Sequence, residues 1–231
     1  MKKVLIGLFL VASLGVLGAK NTKKAASTQN YTKNVNNQYS VVDGSLMNMY
    51  SKEKTEFKNK YMALSEKSDK KNLIALLKEY VKKYPNDAYA YEEIGTDYAI
   101  LGNQKEAEKY YLKAIELGDN DTGVYSLFLL YSDEDSLKSL NLTAKEKNEK
   151  NSIVDKYEKQ LKDAGFTHDK LKELREHKQM ALIGNAYSIY RLAVRYYGAK
   201  NYKMAEKYAK DFLEFDNENP EILNMLKNVS K

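Results

Sequence analysis

The chain has 231 residues, enough for one domain with a sizeable core, and its two prolines and eleven glycines favour long helices over a many-turned β fold. It has no cysteine, which excludes disulfides, thiolate metal sites, a cysteine nucleophile and the lipid-acceptor residue of a bacterial lipoprotein. The net charge of +6 comes from lysines interspersed with glutamates, and arginine stands only at Arg175, Arg191 and Arg195, so no nucleic-acid partner is expected.

Met1-Lys2-Lys3 is a short positive segment, Val4 to Leu17 is apolar and uncharged, and Gly18-Ala19 is small. This is the layout of a secretory signal peptide over residues 1–19, with cleavage after Gly18 or Ala19. The expected localisation is therefore exported, periplasmic or secreted, with no membrane span in the mature form. An uncleaved anchor is the rival reading, although the run is shorter than the ~20 residues that cross a bilayer. Residues 20–53 are rich in Asn, Thr, Ser, Gln and Lys. They read as a flexible polar linker or as a partly ordered cap on the first helix.

Helical periodicity starts near Phe57 and is expected to run through residues 54–231. A first hairpin is predicted over Thr55–Ser65 and Ser68–Tyr84, with Leu73, Leu76, Leu77 and Tyr80 at spacings of three and four. Pro85 closes it, and Asn86 or Asp87 is a candidate cap for the next helix.

The next unit reads AYAYEEIGTDYAILGNQKEAEKYYLKAIELGD from Ala88. Gly95 and Ala107 are small, so two helices can approach there, and Tyr91, Ile94, Tyr98, Tyr111 and Ala114 complete the contact. Gly102 permits a turn, and Asn103 with Glu106 forms a start like a capping box. This constellation resembles the tetratricopeptide repeat, a family of paired antiparallel helices with a period of about 34 residues. Asp119 stands where the family usually has Pro, and Pro85 fills that place in the preceding unit.

Thr122 to Ser132 looks like the first helix of a third hairpin, and LKAIELGDNDTGVYSLFLLY is similar to Sel1-like repeats. Asp133-Glu134-Asp135 reads as a solvated loop. Thr143 and Glu146 form a capping box for a charged helix to Ala164, ended by Gly165, with Val154, Tyr157, Leu161 and Ala164 as a narrow apolar stripe. Another helix runs from Thr167, with Gly184 as a break. The last unit matches the repeat at Leu192-Ala193, Tyr196 and Ala205, whereas Ala209 and Phe212 exchange the expected large and small residues. Pro220 to Val229 is expected to be a closing helix.

No Ser-His-Asp set, HExxH or glycine-rich phosphate loop is present, so no catalytic residue, metal ligand or cofactor is assigned and the chain is not expected to be an enzyme. His168 and His177, nine residues apart on a helix, point to opposite faces and so cannot share a metal. Asp119, Asp121 and Gly123 faintly resemble a calcium loop, but a solvated interhelix turn is the expected reading.

The resemblance implies an all-α fold: a short α-solenoid of stacked helical hairpins with an expanded central hairpin. It further implies an inner surface built by the first helix of each pair. Carried over, that surface holds Tyr89, Glu92, Thr96 and Ala99 in the clearest repeat (88–121). In the divergent repeat (186–219) it holds Tyr187, Tyr190, Val194 and Tyr197, with Arg191 and Arg195 beside them. These residues would bind a protein or peptide partner, or the tyrosines would pack against the closing or inserted helices. The function expected is an exported protein-interaction scaffold of the bacterial cell envelope. The alternatives are a structural, oligomerising envelope protein using helix 143–164, and an enzyme or glycan-binding protein on a helical-repeat scaffold.

Overall fold

The computed structural model describes residues 49–229. The expected signal peptide and residues 20–48 of the expected linker lie outside them. Among the described residues eleven helices form an all-α stack in which neighbours in sequence pack as hairpins, and the one strand-like feature is a bridge between Tyr50 and Asn185. The helices are α1 (Thr55–Glu66), α2 (Lys70–Lys83), α3 (Ala88–Ile100), α4 (Gln104–Glu116), α5 (Thr122–Ser132) and α6 (Glu134–Ser139). They continue with α7 (Ala144–Asp163), α8 (His168–Leu182), α9 (Ala186–Gly198), α10 (Tyr202–Phe212) and α11 (Pro220–Val229).

The first pair is set by apolar spacing. Leu73, Ile74, Leu77 and Tyr80 of α2 are buried against Tyr61 and Phe57 of α1, while Leu76 lies at the margin of the cluster. Helix α2 starts at Lys70 rather than Ser68, and Asp69 caps it, accepting from the Asn72 amide at 3.3 Å. Ser68 itself takes a left-handed φ of 53°, which the chain needs to reverse direction.

In the α3–α4 pair, Ile94, Ala107 and Ala114 are fully buried and Tyr111 nearly so, whereas Tyr91 and Tyr98 are half-buried. Gly95 shows why a small residue is required: a Cβ there would lie 2.7 Å from two Tyr111 ring carbons and 3.1 Å from the Ala107 carbonyl oxygen. Gly95→Ala is therefore expected to cost about 1–2 kcal/mol, because overpacking outweighs the better helix propensity of Ala. Chemical denaturation measures this, and an unchanged or raised stability would show that Tyr111 moves aside freely. Asn103 caps α4 through the Glu106 amide at 3.4 Å, and Gly102 turns the chain with φ of 75°.

Two local expectations need correction. Asp87 occupies the cap position of α3 but makes no capping bond; its carboxylate accepts from Tyr80 Oη at 2.9 Å and faces Lys207 Nζ at 3.8 Å. The 133–135 cluster is not a loop. Asp133 accepts from the Ser136 amide at 2.8 Å and starts α6, with Glu134 and Asp135 in its first turn, where carboxylates suit the helix dipole.

The central hairpin is expanded by α6 and by the 20-residue α7. Its capping box forms in both directions, Glu146 accepting from the Thr143 amide at 2.8 Å and Thr143 Oγ1 from the Glu146 amide at 3.3 Å. The stripe is only partly buried: Leu161 is covered, Val154 and Tyr157 are half-buried and Ala164 is exposed. Lys150 anchors α7 to α4 and α5 by donating to Glu108 and Tyr131.

At the far end α9 and α10 pair through parallel Tyr196 and Tyr208 rings 5.8 Å apart. Ala209 and Phe212 are both fully buried, so the size exchange is accommodated in the core. Asn219 caps α11 through the Ile222 amide at 3.1 Å, and Ile222 and Met225 close against the stack. Residues 49–53, at the end of the segment read as a linker or a partly ordered cap, bond to the fold. Met49 O accepts from Ala186, Ser51 donates its amide to Gly184 O at 2.9 Å, and Ser51 Oγ donates to Glu214 at 3.2 Å. This short strap ties the start of the fold to the α8–α9 turn.

Candidate functional site

The inner-surface residues of α3 do not face open solvent. Tyr89 and Glu92 are buried and Thr96 and Ala99 are half-buried. The cover is α8, an inserted helix that packs along α9 and also reaches α3 and α5. Arg175 Nη2 donates to Thr96 Oγ1 at 3.1 Å and lies 3.3 Å from Glu92 Oε1. Gln179 donates to Tyr61 Oη at 3.2 Å, and Tyr61 in turn donates to Glu93 at 2.8 Å, as does Tyr89 at 3.0 Å.

One turn further along α8, Lys178 is sealed from solvent. Its ammonium donates to Asp119 at 2.8 Å, to Asp121 at 2.5 Å and to Thr122 Oγ1 at 2.7 Å. Asp119 and Asp121 of the turn expected to be solvated are thus buried, and an ammonium sits between them. Asp119 also accepts from the Gly123 amide at 3.0 Å, and Glu92 accepts from Thr122 and from Ser126. Asp97 completes the cluster. Lys70 Nζ stands 2.7 Å from its Oδ1, off the line of a hydrogen bond, and Oδ2 has no hydrogen-bond partner among the described residues.

Five buried carboxylates (Glu92, Glu93, Asp97, Asp119, Asp121) therefore meet three cations, Lys178 sealed from solvent and Lys70 and Arg175 half-buried. Charge balance is incomplete, and protons make up the difference. Burial, the Asp121 charge and nearby Glu92 push Asp119 up to about 8 against the pull of Lys178. Burial also opposes the charge of Asp121, yet Lys178 and a hydrogen bond from Asp119 win and hold it down at about 2. Burial and Glu93 push Asp97 up to about 7. The same carboxylates hold Lys178 and Arg175 firmly protonated despite burial. The arrangement suits clamping α8 in place.

The divergent unit is laid out differently. Tyr190 is 2% exposed, donates to Glu221 of α11 at 2.7 Å and packs on Phe212. It belongs to the closing-helix contact. Tyr187, Val194, Arg195 and Tyr197 are half-buried, and Arg191 is exposed. Around them stand His177, its ring 6.1 Å from that of Tyr187, Glu173, 3.9 Å from Arg191, and Phe166 under the Arg195 guanidinium. Tyr202, exposed, lies 5.9 Å ring to ring from Tyr197. Burial holds the His177 imidazole below its ordinary value, and Arg191 and Arg195 add to that against the acids Glu173 and Glu176.

The outer side of α4 carries a shallow depression of about 600 Å³ between Tyr91, Tyr110 and Leu112, rimmed by Lys105, Lys109 and Lys113. Among the described residues no helix is long and apolar enough to cross a membrane, and no three acidic or histidine side chains gather as a metal would require. No protein-family model matches the chain, and no curated protein matches it at a significant level.

Proposed function

We propose that the protein is an exported protein-interaction scaffold of the tetratricopeptide type, and that its partner binds on the α9 face. The hairpin stack and the Gly95–Ala107–Tyr111 contact support the repeat reading. One observation carries the choice of face. Of the residues expected to line the inner surface, those of α3 are covered by α8, whereas Arg191 and Arg195, one turn apart on α9, stay accessible between Tyr187 and Tyr197. Arginine with flanking tyrosines offers planar donors and large rings at modest entropic cost, as protein interfaces favour. A partner segment bearing carboxylates fits this face best.

The Arg191→Ala, Arg195→Ala double variant is expected to fold normally and to lose about thirtyfold in affinity, since arginine anchors commonly contribute about 2 kcal/mol. Affinity capture from an envelope fraction, followed by titration of each captured protein, measures this. An unchanged set of captured proteins at unchanged affinity would remove the α9 face from consideration. Tyr190 is not a suitable probe, because its ring is part of the core.

A further inference from the structure

Charge is polarised along the chain. Between Lys52 and Lys83 ten lysines stand against five carboxylates, whereas residues 84–229 carry 21 basic and 26 acidic side chains. Part of this surplus gathers where the start of α1 meets the end of α2. Lys83 Nζ lies 2.7 Å from Glu53 and 5.1 Å from the Tyr84 ring centre, Lys54 lies 5.3 Å from the same ring, and Lys58 sits 3.8 Å over Tyr50. Lys52, Lys82 and Lys83 are exposed. Among the described residues Glu53 and Glu79 alone form ion pairs with these lysines, and Glu214, bound to Ser51, borders the patch. Met49 is 38% exposed beside them, and the Tyr50 and Tyr84 rings are half-buried.

We propose that this end of the α1–α2 hairpin docks on an anionic lipid surface. Lysine stems can lie along apolar material while their ammoniums reach headgroup phosphates, and tyrosine and methionine suit the boundary between headgroups and chains. A bilayer fits better than a nucleic acid. The patch has no arginine, one face of Tyr50 carries the Lys58 ammonium, and the Tyr84 ring packs on Tyr80 at 4.6 Å, so the rings offer less for base stacking than a nucleic-acid platform would. The choice of lipid over an acidic protein rests on the export reading. In the mature chain of that reading residues 20–48 precede the domain, and they hold four lysines and one aspartate.

The test is sedimentation of the full chain with vesicles of phosphatidylcholine alone and of phosphatidylcholine with phosphatidylglycerol. Reading the difference between the two removes any contribution from apolar insertion. A lysine near an anionic surface contributes roughly fivefold, so Lys52→Gln, Lys58→Gln, Lys82→Gln and Lys83→Gln together are expected to lower the anionic preference about a hundredfold or more. The matched quartet on α7, Lys145→Gln, Lys156→Gln, Lys159→Gln and Lys162→Gln, should leave it nearly intact, and Arg at the four patch positions should preserve it. Equal loss in both quartets would mean that net charge alone is read and overturns the proposal. So does wild-type binding that ignores phosphatidylglycerol, or complete displacement by an oligonucleotide at equal phosphate concentration. Export itself is read separately, by N-terminal sequencing of the protein recovered outside the cytoplasm.

Discussion

Replacing Lys178 with methionine is expected to destabilise the fold by about 3–5 kcal/mol, the loss seen when one partner of a buried ion pair is removed. The side chain is wholly shielded, and its three donors are all used, on Asp119, Asp121 and Thr122. Methionine fills a similar volume, so the cost comes from the charge left behind. Asp121 would remain ionised with no cation within reach, or would have to take up a proton it normally gives up near pH 2. Domains of this size have a total stability of about 5–15 kcal/mol, so much of the margin would be gone. The triple change Lys178→Met, Asp119→Asn, Asp121→Asn removes the uncompensated charge and should recover most of the loss. Urea denaturation of both variants decides the matter. A cost below about 1 kcal/mol for Lys178→Met would mean that water reaches the cluster and that α8 is held by apolar contacts alone.

What was legible in the sequence was local. Gly95, Ala107, Tyr111 and Ala114 sit at helical spacing within one hairpin, and the capping box of Thr143 and Glu146 spans three residues; both follow from short-range geometry. The cover over α3 was not legible, because it joins residues far apart in sequence. Glu92 and Arg175 are 83 positions apart, Asp119 and Lys178 are 59 apart, and no local pattern sets such pairings. The sequence HDKLKELREHKQMAL also reads as a solvated charged helix. One signal was present nonetheless. Leu171, Leu174, Lys178 and Ala181 recur at spacings of three and four, which puts Lys178 on the apolar stripe, and all four are buried. A lysine on such a stripe requires buried carboxylates opposite, and Asp119, in a place where the repeat family has proline, was the candidate. The α6 start at Asp133 was missed for a related reason: acidic residues that look like a loop are also the residues that cap helices.

Melting temperature is expected to fall by about 5–10 °C between pH 5 and pH 8, corresponding to a loss of roughly 3 kcal/mol for a domain of this size. The direction follows from the surplus of buried carboxylates. Asp97 and Asp119 release their protons near 7 and near 8 in the folded protein, against 3.8 when free of it. The folded state thus holds protons that the unfolded chain has already given up. Their stabilising contribution is complete below about pH 4 and disappears as the pH rises through 7 to 8. Asp121, depressed to about 2, acts in the opposite sense but only in strong acid, outside this window. His177, held below 6.5 by burial and by Arg191 and Arg195, favours folding as the pH rises through 6.5 and offsets part of the loss. Two substitutions separate these contributions. Asp97→Asn keeps the shape and hydrogen-bonding capacity of the side chain but cannot titrate, so the slope above pH 6 should shrink by about half. His177→Asn should steepen the slope between pH 5 and pH 7. If wild-type melting temperature stays level or rises toward pH 8, Asp97 and Asp119 are ionised in the fold, and the three cations, with water, are sufficient to hold α8.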